Sequence, residues 1–220
     1  MSPQRFGLLA SVVMACALLC LPFLLVAKNF VKPAAMHAKA YPAHDSHPDD
    51  RVAIAADPYD TPEKGKIFSM NFAAAGILPV FFVVTNDGDQ PISIANMEVT
   101  LVTAHHSKLT PTSPEDIYRR LSNPQATTRP APSPIPIPRK KVKGTISQKE
   151  MEEIESSQFA AHAVEPHASQ SGFLFFDIGG ISSPLAGANI EVTSVNDAKG
   201  NELLYFEIAM DKYLNTPPKR

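Results

Sequence analysis

Residues 77–103 read ILPVFFVVTNDGDQPISIANMEVTLVT, and no other stretch constrains the fold as strongly. Val80, Phe81, Phe82, Val83 and Val84 are β-branched or aromatic without a break. Successive side chains on a strand point to opposite faces, so this run suits a strand covered on both sides. Pro79 before it and Asn86-Asp87-Gly88-Asp89 after it argue against a short buried helix. A second β-rich run starts at Ile92, just after Pro91, which lacks an N–H and belongs at a strand start or an edge. Together these signals predict a β-hairpin with its turn at 86–89. Ile92 and Ile94 share one parity, whereas Met97, Val99 and Leu101 share the other. One continuous strand cannot turn both sets inward, so a bulge or break is expected between Ala95 and Met97.

The chain has 220 residues and a net charge of −2, enough for one domain plus extensions and without the electrostatic footprint of a nucleic-acid binder. Both cysteines, Cys16 and Cys20, lie within the apolar run LLASVVMACALLCLPFLLVA at 8–27. The rest of the chain therefore has no disulfide framework and no cysteine metal site. The apolar run, about 20 residues, is long enough to span a hydrocarbon core of about 30 Å. It equally fits a signal-peptide core with Pro22 as the helix breaker. Residues 1–27 thus read as a transmembrane anchor or a cleaved signal. Leu25-Val26-Ala27 is a poor small-x-small cleavage motif, and Ala38-Lys39-Ala40, further downstream, is a better one. Val13-Met14-Ala15-Cys16 loosely resembles a lipobox. Arg5, Lys28 and Lys32 flank the segment on both sides and do not fix its orientation. Export of the C-terminal part is expected, because most single N-terminal segments of this kind deliver the downstream chain across the membrane.

Residues 28–62 are rich in Ala, Pro, Asp and His without periodicity and read as a flexible linker. The domain is placed at 63–214 and a disordered tail at 215–220. Phe68, Met70 and Phe72 share a parity, which predicts an opening strand over 64–74. Ser113 as cap and Pro114 at the first helical position predict a helix to Leu121. Residues 122–146 form an insertion with Pro124, Pro130, Pro132, Pro134, Pro136 and Pro138, followed by Arg139, Lys140, Lys141 and Lys143. It reads either as a polyproline ligand for a groove or acidic envelope groups, or as a stiff solvated insertion. Ser147 and Glu150 match a capping box for a helix over 147–162, with Met151 and Ile154 on one face and Glu152, Glu153 and Glu155 on the solvated one. Strands are expected at 171–178, at 189–195 and, after a turn at 197–201, through Leu204, Phe206, Ile208 and Met210.

No Gly-x-Ser-x-Gly elbow, phosphate-binding Gly-rich loop or His-Glu-x-x-His occurs. No catalytic, cofactor-binding or metal-binding residue is assigned, and the chain reads as a non-enzyme, although a triad scattered in sequence, and so a hidden hydrolase, stays open. The alternative is a periplasmic carrier of a metal or small ligand that uses His37, His44, His47, His105, His106, His162 or His167. His105 and His106 are neighbours on a strand end and so point to opposite faces.

Three stretches carry a resemblance: FFVVTNDGDQPISI at 81–94, VEPHASQSGFLFFDI at 164–178 and NELLYFEIAMDKYL at 201–214. They resemble uncharacterised exported bacterial proteins with an immunoglobulin-like domain of unknown function. The resemblance implies a mainly β, antiparallel immunoglobulin-like β-sandwich. Two short helices and the Pro-rich insertion depart from the simple pattern. The chain as a whole reads as a non-catalytic cell-envelope module that binds an unknown protein or envelope polymer, meets the cytoplasmic membrane through its N-terminal segment and, with its near-neutral charge, takes no nucleic acid. The expected location is the envelope, anchored, or the periplasm or exterior after cleavage. The resemblance implies no site residues.

Overall fold

The computed structural model describes residues 30–122 and 146–216. The apolar run at 8–27 and nearly all of the Pro-rich insertion lie outside the described residues. No described helix is long and apolar enough to cross a membrane.

The strands are β1 (His44–His47), β2 (Val52–Pro58), β3 (Ile77–Asn86), β4 (Ile92–Ser93), β5 (Glu98–Val102), β6 (Lys108–Leu109), β7 (Ala163–Val164), β8 (Ala168–Asp177), β9 (Asn189–Thr193) and β10 (Phe206–Ala209). Among the described residues, four helices accompany them: α1 (Pro62–Gly65), α2 (Pro114–Ser122), α3 (Gln148–Ser157) and α4 (Asp211–Leu214). All strand pairs are antiparallel. One sheet has the order β1-β2-β3-β8, a second β10-β9-β5-β6, and a small third pairs β4 with β7.

All ten residues of β3 are buried. Leu78, Val80, Phe82 and Val84 face the second sheet and meet Val99, Leu101, Ile190, Val192, Phe206 and Ile208 in one core. Ile77, Phe81 and Val83 face the other way, into a layer made by Tyr41, Phe68, Phe72, Ile117 and Ile154. The unbroken apolar run is thus the signature of a strand between two cores, as its composition predicts. A fully buried Val or Phe is worth roughly 1.5–3 kcal/mol, so this strand carries a large share of the stability.

The hairpin expectation is corrected. The turn forms: Asn86 Oδ1 accepts from Gly88 N at 2.8 Å and Asn86 Nδ2 donates to the Gln90 carbonyl at 2.8 Å. The chain then leaves for the other sheets, because β2 and β8 occupy both edges of β3. The expected break is present, with β4 ending at Ser93 and β5 starting at Glu98. Met97 N donates to the Ile94 carbonyl at 3.2 Å across it.

The flexible-linker reading of 28–62 is also corrected. This stretch supplies β1 and β2, and β2 is buried along almost its whole length. Val52, Ile54 and Ala56 enter the core between the sheets, while Ala53 and Ala55 leave room on the outer face for Ala38 and Tyr41. The strand expected at 64–74 does not form either. Phe68 and Phe72 instead lie on the outer face of the first sheet, in irregular chain between α1 and a 3-10 turn at Ala73–Ala75. Near the C-terminus, Phe206, Ile208 and Met210 are buried as expected, but Leu204 is exposed before the strand begins. The expected tail at 215–220 is described only to Thr216, in the turn after α4.

Both longer helices form at their predicted starts. Asp116 N donates to Ser113 Oγ at 3.2 Å, and the Ser147–Glu150 capping box closes in both directions. Helix α3 stops at Ser157 rather than 162, because Gln158 and Phe159 run alongside β8. Phe159 N donates to the Phe173 carbonyl at 3.0 Å. Gly172 permits this approach, since a Cβ there would lie 2.4 Å from Phe159 Cα.

Gly172→Ala is expected to destabilise the protein by about 3 kcal/mol in urea unfolding. Gly65→Ala, whose added Cβ meets nothing within 4 Å, is expected to stay within about 0.5 kcal/mol of the wild type. A chain starting at Tyr41 loses Ala38, which is fully buried, and is expected to unfold at lower urea than one starting at Phe30, by about 2–4 kcal/mol.

Candidate functional site

The outer layer over the first sheet holds a concavity. It is a groove of ≈ 470 Å³ lined by Tyr59, Asp60, Thr61, Lys66, Phe68, Ser69, Met70, Asn71, Phe72 and Ala73, among others. A smaller recess of ≈ 260 Å³ adjoins it, lined by Ser69, Met70, Asn71, Leu121, Ile146 and Glu150. Ser69, Met70 and Asn71 border both, and so form the ridge between them.

Aromatic packing fixes the floor. Phe68 stands edge-on to Phe72 at 5.0 Å and to Phe173 at 4.9 Å, and Tyr59 meets Phe173 edge-on at 4.9 Å. These contacts anchor a segment without regular structure directly to β8. Asn71 Oδ1 accepts from Ala74 N at 3.0 Å, which shapes the turn beside the ridge.

One polar clasp holds the ridge to α3. Glu153 is only 4 % exposed, and its two carboxylate oxygens accept from Ser69 N at 2.9 Å and Ser69 Oγ at 2.6 Å. The solvated-face reading of Glu153 is therefore corrected: it points inward, while Glu152 and Glu155 remain exposed. A helix pattern could not show this, because the partner is 84 residues away in sequence.

A second clasp closes the end near Tyr59. Lys64 Nζ donates to Asp57 Oδ1 at 2.6 Å and to the Pro58 carbonyl at 2.8 Å, and lies 4.4 Å from the centre of the Tyr213 ring. Burial, with help from the Asp57 charge, pushes the Tyr59 phenol up to about 12. Burial and then the hydrogen bond to Asp60 push the Tyr213 phenol up as well. Both phenols stay protonated at neutral pH, and the Tyr213 hydroxyl donates to Asp60 Oδ1 at 2.5 Å.

The Ser69 hydroxyl donates to a buried carboxylate, and both carboxylate oxygens are tied to Ser69 itself. No histidine is among the groove's lining residues to relay a proton. The arrangement holds the ridge to α3.

The seven histidines do not converge. His37 Nε2 lies 2.8 Å from Asp87 Oδ1, and His167 Nε2 lies 3.2 Å from Asp89 Oδ1. His44 Nδ1 is 2.6 Å from the Tyr41 carbonyl. His47 stacks on Phe206 at 3.9 Å and sits between Asp45 and Asp50. His105, His106 and His162 are exposed. Among the described residues, no group of three or more His, Cys, Asp or Glu side chains could hold a metal ion.

Glu153→Gln would set an amide NH2 against donors from Ser69, and is expected to cost about 1–3 kcal/mol in urea unfolding. His37, then Lys39, holds the Asp87 carboxyl below its ordinary 3.8. A depressed folded-state pKa stabilises above that ordinary value, and the gain is lost as pH falls through the folded pKa. Asp87→Asn is therefore expected to lower the urea midpoint at pH 7, and the difference should shrink toward zero in strong acid.

No protein-family model, curated protein or solved structure matches this chain.

Proposed function

We propose that this chain is a non-catalytic cell-envelope domain of the immunoglobulin-like β-sandwich kind that binds a protein or envelope polymer. The two four-stranded antiparallel sheets facing each other over a shared core support the sandwich reading. The added outer layer sets this chain apart from the simplest form of such a domain.

One observation carries the binding role: the groove and the recess adjoin across the ridge of Ser69, Met70 and Asn71, over a floor of packed aromatic rings. Concave, largely apolar surfaces with a few placed polar groups are the usual form of a binding site. Membrane attachment through residues 8–27 is the second part of the reading. Its support is that the downstream motif Ala38-Lys39-Ala40 lies inside the folded domain. Ala38 is fully buried and its N donates to Thr85 Oγ1 at 3.0 Å, so cleavage there would strip away packed chain. What remains is the poor motif at 25–27, which favours an uncleaved anchor.

A photo-crosslinking residue at Met70 in cells expressing the full chain tests the binding surface. A discrete adduct is expected at 70 and none at Thr100, on the outer face of the second sheet. Ala73→Asp should remove the adduct while leaving the urea midpoint within about 0.5 kcal/mol of the wild type. No adduct at 70, or equal adducts at both positions, would overturn the assignment.

A further inference from the structure

Phe30, the first described residue, is already packed. Its ring stacks on Phe68 at 5.5 Å and meets Phe173 edge-on at 6.4 Å. Lys32 Nζ donates to the Ser171 carbonyl at 3.2 Å. Further along, His37 pairs with Asp87 at 2.8 Å, and Ala38 is seated in the outer-layer core. One side of this arm is thus pinned to the first sheet.

The other side is apolar. Val31 is 75 % exposed and Met36 is 46 % exposed, with Ala34 and Ala35 exposed between them. Lys32 lies within this strip and Lys39 follows it. Exposed apolar side chains are common on any surface, so exposure alone identifies nothing. The preceding chain is what distinguishes this strip. Only Lys28 and Asn29 separate Phe30 from the end of the apolar run at Ala27.

Three residues reach at most about 10 Å. The headgroup layer on each side of a hydrocarbon core is about 5–7 Å thick. An arm pinned at Phe30 therefore cannot leave the interface if the apolar run spans the bilayer. A flexible linker over 28–62 would have let the domain range over about 30 Å.

We propose that the outward face of residues 31–36, with Lys32 and Lys39, is a lipid-docking surface that seats the domain flush on the bilayer. Val31 and Met36 enter the boundary between headgroups and acyl chains, and the Lys32 and Lys39 ammonium groups, which donate to the Ser171 carbonyl and to Asp87 Oδ2, offer their remaining donors to anionic lipid phosphates. Lys32 has donors to spare, since its one protein bond uses one of three. Phe68, under Phe30, also lines the larger groove, so a ligand there would sit close to the membrane surface. This inference rests on reading residues 8–27 as a retained anchor.

The test uses the full chain with Cys16→Ala and Cys20→Ala, reconstituted into phosphatidylethanolamine–phosphatidylglycerol vesicles that carry spin-labelled lipid. An environment-sensitive fluorophore is attached through Val31→Cys, Met36→Cys or, as control, Thr100→Cys, and flotation is followed in parallel. The expected result is co-flotation with quenching at 31 and 36 severalfold above that at 100. Co-flotation with equal quenching at all three positions would overturn the docking surface and leave the anchor standing. Failure to float would overturn the anchor, and the docking surface with it.

Discussion

Burial of β3 on both faces, with both of its edges paired, is the constraint on which the rest of the structure depends. A strand whose ten residues are all buried needs a core on each side and a ladder partner along each edge. The second sheet supplies one core, and the layer of Phe68, Phe72, Ile117 and Ile154 supplies the other. β2 and β8 supply the ladders. Removing any one of these would expose apolar surface or orphan backbone groups at the centre of the molecule.

The outer layer arises from that need. Its pieces come from distant parts of the chain, namely the arm at 30–41, the segment at 62–75 and the helices α2 and α3. Little regular structure joins them, so specific contacts hold them: the Phe30–Phe68–Phe173 rings, the Glu153–Ser69 clasp and the Lys64–Asp57 pair. Arg120 on α2 adds a partly buried pair with Asp177 at the end of β8, at 2.8 Å. A layer assembled in this way has seams, and the groove beside Ser69 and Met70 is one of them. The same layer begins within a few residues of the apolar N-terminal run, which brings the candidate site and the candidate membrane surface to one side of the protein.

What the sequence revealed was local. The two-faced character of residues 80–84 is written in their side chains. The Ser147–Glu150 capping box and the Ser113 cap depend on residues three apart, and both formed. The break between Ile94 and Val99 is dictated by parity alone. What stayed hidden was which segments meet. The turn at Asn86–Asp89 looked like a hairpin because nothing local says that β3's edges belong to β2 and β8. The alanines of β2 looked like linker composition, yet Ala53 and Ala55 are small because Ala38 and Tyr41 press against that face. Glu153 looked solvated beside Glu152 and Glu155, since Ser69 lies far away in sequence. Phe68, Met70 and Phe72 kept strand parity, but two aromatic anchors four residues apart sit equally well in irregular chain laid over a sheet.

Native-state hydrogen exchange resolved to single amides tests the central claim most directly. If β3 is held between β2 and β8, the ladder amides of residues 52–58 and 168–177 exchange as slowly as those of 77–86, at the rate of global unfolding. Fast exchange over 52–58, with protection confined to 80–84 and the run after Ile92, would mean a tethered hairpin and would contradict the account.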